Sequence, residues 1–169
     1  MKPIAGVLAF VATLAWAAAA ANEPDLAQAA RAIVIATNDL RRAEGLAHVA
    51  ESPRLTQTAR DFAAFLARSD VFEHTADGRR PWERAQSHGY DYCFVAENIA
   101  YEFRSRGFAT AELARAFVEG WRSSRGHRRN MLERDVTETG VALARSARTG
   151  RYYGVQMFGR PRAATRGCG

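Results

Sequence analysis

Lysine is almost missing from these 169 residues: it occurs once, at Lys2, whereas arginine occurs 23 times. The positive surface is therefore built of planar, permanently charged guanidinium groups rather than ammonium groups. GC-rich coding and selection for such groups at a binding surface are both open explanations. Cysteine is scarce too, with only Cys93 and Cys168, which excludes a disulfide-dense miniature fold and a four-thiolate zinc site. No internal repeat is present, so solenoids and propellers are excluded. Only one long apolar run exists, Ile4 to Ala18, and nothing after it approaches the roughly 20 residues a bilayer span needs. Neither G-x-S-x-G nor H-E-x-x-H occurs, which removes the hydrolase elbow and the helical zinc motif. Despite the basic balance there is no recognition-helix motif and no aromatic-and-basic strand pattern, so nucleic acid is not an expected partner.

What is present begins with a leader. Lys2, the apolar run and Ala19-Ala20-Ala21 read as a secretory signal peptide over residues 1–21, an uncleaved anchor being the alternative. The expected mature chain, 22–169, is one monomeric domain, secreted or periplasmic, with no transmembrane segment left. Its 23 arginines exceed its 18 acids by five. In an exported chain the two cysteines read as one disulfide, with free thiols as the alternative; closing that loop of about 75 residues would add roughly 4 kcal/mol in the chain-entropy model.

Apolar spacing predicts a helix from Asp25 to about Glu44, with Leu26, Ala30, Ile33, Thr37 and Leu40 on its inner stripe. A second helix is predicted from Ser52 as cap and Pro53 in the first turn, burying Leu55, Ala59, Phe62, Ala63 and Leu66 and ending before Asp70. Asp77-Gly78 marks a turn, and Pro81 to Arg84 a short helical piece. Asn98 to Tyr101 reads as a strand, with Glu97 just ahead of it. Thr110 caps a helix carrying Leu113, Ala114, Phe117, Val118 and Trp121, which Gly126 ends. Gly140 to Ala144 and Arg151 to Phe158 read as a β-hairpin. Residues 160–169, with Pro161, form an irregular basic tail. Helices first, then strands with one more helix, predict an α+β fold with a mostly antiparallel sheet covered by helices.

Three blocks carry a family likeness: Phe72-Glu73-His74-Thr75-Ala76-Asp77-Gly78, Ala96-Glu97-Asn98-Ile99-Ala100, and Trp121 through Asn130 with Ser124, His127 and Asn130 spaced by three. With Asn38, Arg41, Gly45, Gly140-Val141-Ala142, Tyr152, Tyr153, Gln156 and Phe158-Gly159, the sequence resembles the secreted CAP superfamily (cysteine-rich secretory proteins, antigen 5 and pathogenesis-related proteins), in its bacterial form. The resemblance implies a three-layer α-β-α sandwich. In eukaryotic relatives the pocket holds two histidines and two glutamates. Carried over by motif, the first histidine is His74 and one glutamate is Glu97, but the second glutamate falls on Ser124 and the second histidine on Tyr153.

The candidate cleft is therefore His74, Glu97, Ser124 and His127. His74, Glu97 and His127 are the candidate ligands should a metal bind, with zinc as the candidate cofactor. Other roles stay open for each residue: His74 as a loop cap, His127 as a hydrogen-bonding partner after Gly126, and Glu97 as an acceptor of backbone N–H groups. Ser124 with His127 also fits a nucleophile and base, though Asp135 is the only nearby aspartate to orient the ring. Asn38, Arg41 and Asn130 read as groups that satisfy buried backbone, and Arg122, Arg125, Arg128 and Arg129 as a solvated face or an anion-binding one. The expected function is binding of a small or extended ligand, a lipid or anionic envelope component among the candidates, with no turnover required. The alternatives are a peptidase-like or metal-assisted hydrolase and an extracellular scaffold with a vestigial pocket.

Overall fold

A computed structural model describes residues 23–162 and Cys168. The leader, residues 1–21, and most of the tail lie outside the described residues. The elements run α1 (Leu26–Ala43), β1 (Ala50–Glu51), α2 (Pro53–Ser69), α3 (Pro81–Ser87), β2 (Tyr92–Glu102), α4 (Thr110–Ser123), α5 (Arg125–Met131), β3 (Glu138–Arg145) and β4 (Tyr152–Pro161).

Four strands form one sheet in the order β1-β3-β4-β2. β4 pairs antiparallel with both β3 and β2, while the two-residue β1 runs parallel to β3, which makes the sheet mixed. Alternation along β4 explains the three layers. Tyr152 and Phe158 enter a core with Ile33, Leu113, Phe117 and Trp121 from α1 and α4. Tyr153, Val155 and Met157 enter a second core with Leu55, Phe62 and Leu66 from α2. A strand with both faces covered reads as a continuous apolar run rather than an alternating one, and the stretch from Tyr152 to Phe158 is buried throughout. The architecture is the expected α-β-α sandwich.

The amphipathic helices follow their spacing, with local corrections. In α1, Asp25 caps the Gln28 N–H at 2.9 Å, and the buried stripe is Ala29, Ile33, Val34, Thr37 and Arg41, about one position from the expected one. Leu26, Ala30 and Leu40 are only partly buried. Ser52 occupies the N-cap position of α2, but its side chain makes no cap hydrogen bond; its backbone N–H donates instead to Thr139 O at 2.8 Å, continuing β1. α2 ends on Asp70, which holds a left-handed φ of 53°. Gly140 lets α2 press onto β3, since a Cβ there would collide with the Leu55–Thr56 backbone.

Three boundaries depart from expectation. β2 is an 11-residue strand, not four, so Glu97 lies mid-strand. α4 begins at Thr110, with Ala109 at the cap position, and the Thr110 hydroxyl accepts the Asp25 N–H at 3.0 Å. Gly126 does not end that helix. Ser124, with ψ 121°, breaks the chain two residues earlier, and Gly126 and His127 lie inside α5. β4 also takes Arg160 and Pro161 from the expected tail. Beyond it Arg162 N bonds Asp91 O at 3.0 Å, and Cys168 forms the disulfide with Cys93 of β2, Cα to Cα 5.2 Å.

Candidate functional site

β2 is the outer strand, and its alternation assigns Glu97 and Asn98 to opposite faces. Glu97 turns toward α2 and α3. Its side chain is 1% exposed, and both oxygens are engaged: Oε1 accepts from His74 Nδ1 at 2.8 Å and Oε2 accepts from Arg84 Nη2 at 2.7 Å. A carboxylate so buried is tolerable only with full pairing. His74 closes over it from the loop after α2 with its own side chain half exposed. Since the carboxylate only accepts, Nδ1 carries the shared hydrogen and Nε2 is the ring atom left for another partner.

Arg84, which sequence reasoning treated only as the end of a helical piece, organises this face. Its side chain is 4% exposed. Nη1 donates to Asp77 Oδ1 at 2.8 Å and Arg79 O at 2.7 Å, and Nη2 donates to His74 O at 2.9 Å in addition to Glu97. The guanidinium carbon stands 3.5 Å over the Phe62 ring of α2, a stacking that suits a planar cation. One side chain thus ties the His74 loop, α3, β2 and α2. The sequence held one usable signal, an arginine one turn into a helix opened by Pro81 and close to the Asp77-Gly78 turn.

Asn98 points the other way, toward α5. Its Nδ2 donates to His127 O at 3.2 Å and to Gln156 Oε1 at 3.3 Å, and its Oδ1 accepts from Asn130 Nδ2 at 2.9 Å. Asn130 also reaches Glu97 O at 3.3 Å, satisfying a carbonyl on the free edge of the sheet. α5 is therefore clamped to β2 by amides, with Gln156 passing the chain on to Thr37 of α1 at 2.9 Å. The His127 and His74 imidazoles are electrostatic neighbours: burial first, and then the charge of His74, hold His127 below the ordinary histidine range.

The expected roles resolve as follows. Glu97 accepts a guanidinium and an imidazole, not backbone N–H groups. Ser124 caps α5 in position only, with no side-chain cap bond, and no hydrogen bond joins it to His127 among the described residues. Tyr153, where eukaryotic relatives carry the second histidine, is fully buried and donates its hydroxyl to Asp70 at 2.9 Å. The three-ligand metal set is not assembled: among the described residues no group of three or more His, Cys, Asp or Glu side chains is poised to hold an ion. One lone pair of each Glu97 oxygen is committed to His74 and Arg84, and three convergent zinc ligands are not found among the described residues. Asn38 does satisfy backbone, bonding Val49 N and O at 2.8 and 3.0 Å. Arg41 does so more fully, bonding the carbonyls of Ala47, Met131, Glu133 and Val136.

An α-β-α sandwich with a histidine and glutamate pair beside an edge strand defines the class. The chain belongs to the CAP, or cysteine-rich secretory protein, family, whose model matches residues 34–158. It is 30% identical over 115 residues, 68% of its length, to the uncharacterized protein YkwD of Bacillus subtilis (strain 168), of which it spans 42%. Among solved structures it superposes on an outer surface protein from Borrelia burgdorferi with TM-score 0.69, at 18% identity, covering 79% of this chain and 93% of that one. It also superposes on an extracellular protein containing a SCP domain from Bacillus anthracis str. Ames with TM-score 0.68, at 22% identity, covering 80% of this chain and 41% of that one. Among the described residues no helix is long and apolar enough to cross a membrane.

Proposed function

We propose that the mature chain, residues 22–169, is an exported, monomeric binding domain. Its cleft lies across the edge of β2, between His74 with Glu97 on one side and Ser124 with His127 on the other, and holds a small or extended anionic ligand without turnover. The observation that carries this reading is the double engagement of Glu97 by His74 and Arg84. With one lone pair of each oxygen given to His74 and Arg84, Glu97 is held as a structural acceptor at the base of the cleft. Recognition falls to the outward nitrogen of His74 and the His127 ring, the latter on a short helix made cationic by Arg125, Arg128 and Arg129. Export is supported by the leader motif and by the extracellular description of the Bacillus anthracis relative.

Glycerol phosphate is a soluble probe for lipid headgroups and phosphate-bearing envelope polymers alike. Binding should raise the melting temperature of the parent, shift the imidazole resonances of His74 and His127, and release no phosphate. His74→Ala should lose the thermal rise. Unmoved imidazole signals would refute the cleft, and phosphate release abolished by Glu97→Gln in a folded variant would replace binding with hydrolysis.

A further inference from the structure

The large hydrophobic side chains left in water are not scattered. Six are exposed among the described residues, and four of them, Val71, Phe72, Tyr101 and Phe103, gather where the loop after α2 meets the end of β2. Phe72 meets Tyr101 edge-on at 5.1 Å between ring centres. Phe103, 58% exposed, reaches the β3–β4 turn: a Cβ at Gly150 would stand 3.6 Å from its ring and 3.7 Å from Arg145 Nη2. A contiguous exposed apolar cluster with a polar rim marks an interaction surface.

The rim here is arginine. The Arg151 guanidinium lies 4.6 Å over Tyr101. Beside the turn, Arg68, Arg145 and Arg148 border a hollow of about 430 Å³ otherwise lined by alanine. Segments 68–73, 101–106 and 145–151 together hold six arginines and three acids. Arg148 is paired with Asp70, Arg145 with Glu23, and Arg104 and Arg106 with Glu112, which leaves Arg68 and Arg151, among the described residues, as the arginines of these segments without an ion-paired carboxylate.

We propose that this end of the molecule docks on an anionic lipid bilayer, with Val71, Phe72 and Phe103 entering the headgroup layer and Arg68 and Arg151 meeting lipid phosphates. Exposed apolar side chains bordered by arginines suit an anchor on anionic lipid, where the apolar groups enter the headgroup layer and the guanidinium groups meet phosphate; an acidic protein surface is the alternative that the vesicle test separates. Guanidinium forks also match phosphate oxygens in pairs. The inference stands independently of the cleft, since none of these side chains belongs to it.

Co-sedimentation with vesicles tests it, comparing phosphatidylglycerol mixed into phosphatidylcholine against phosphatidylcholine alone, at low and high salt. Binding should require phosphatidylglycerol and weaken with salt. Val71→Ser with Phe103→Ser should cut partitioning about tenfold, and Arg68→Gln about fivefold. Ile35→Ser, on α1 in the opposite layer and 63% exposed, should change nothing, and all three variants should melt near the parent. Absence of binding to anionic vesicles, equal binding to both vesicle types, or an equal loss in Ile35→Ser would each overturn the proposal, as would capture of an acidic protein by a chain that ignores vesicles.

Discussion

Arg84 Nη2 stands 2.7 Å from Glu97 Oε2 with both side chains almost fully buried, at 4% and 1% exposure, but the two partners do not depend on each other equally. Arg84 keeps Asp77 and two backbone carbonyls if Glu97 loses its charge. Glu97 keeps only a half-exposed histidine if Arg84 goes. Losing one partner of a buried pair strands the other charge, and that desolvation dominates the cost.

The asymmetry should be visible in denaturant unfolding. Arg84→Met is expected to cost about 3–5 kcal/mol, and Glu97→Gln, which keeps the shape and leaves the arginine its other acceptors, about 1–3 kcal/mol. Combining the two should recover part of the larger loss, giving a coupling of about 0.5–3 kcal/mol. Equal single costs, or simple additivity, would contradict the assigned geometry.

His127 gives the fold an acid-sensitive component. Its protonation is disfavoured in the folded state, by burial first and by His74 second, so the unfolded chain binds the proton more readily and stability falls as pH drops through the histidine range near 6.5. Melting curves from neutral to mildly acidic pH should show the parent losing stability faster than His127→Gln. Parallel curves would mean that the ring is not desolvated in the clamp between α5 and β2.

Much of this could be read from the chain, and the misses share a cause. α2 and α4 follow the helical period because each buries one stripe against one core, as Leu55 and Phe62, or Leu113 and Trp121, do. β2 was foreshortened because Glu97 and Asn98 put two polar residues on opposite faces at its centre, which hides the alternation of an edge strand. Arg84 was invisible as a site residue because its acceptors come from positions 74, 77, 79 and 97, and no local pattern encodes that convergence. The Ser124 break was missed because Gly126 carries the stronger conformational signal, although α5 uses that glycine as an ordinary helical residue.

The disulfide should act on one edge of the sheet. Cys168 returns past the end of β4 to Cys93, near the bulge that shifts the β2–β4 register between Tyr92 and Phe94. Reduction is expected to remove up to about 4 kcal/mol, and amide exchange should speed first along Tyr92 to Val95 while Val155 and Met157 stay protected. Uniform acceleration across the sheet would show that the bridge supports the whole core rather than this edge.

Asp70 clips α2 to the β3–β4 turn. Its carboxylate accepts the hydroxyls of Thr149 at 2.8 Å, Ser146 at 2.9 Å and Tyr153 at 2.9 Å, with Arg148 at 2.8 Å. Burial pushes this carboxyl up, but the hydroxyl donors and then the arginine outweigh it and hold it below the usual aspartate range. The sign follows: the stabilisation is present above the unfolded aspartate value and is lost as pH falls through the lower folded one. Asp70→Asn suits the same left-handed backbone, yet it brings a donor amide into a site built of donors. The variant should therefore melt below the parent at neutral pH, with the gap closing as the pH drops below about 4. A gap that persists unchanged into that acid range would place the effect in packing rather than in the charge that Thr149, Ser146 and Tyr153 surround.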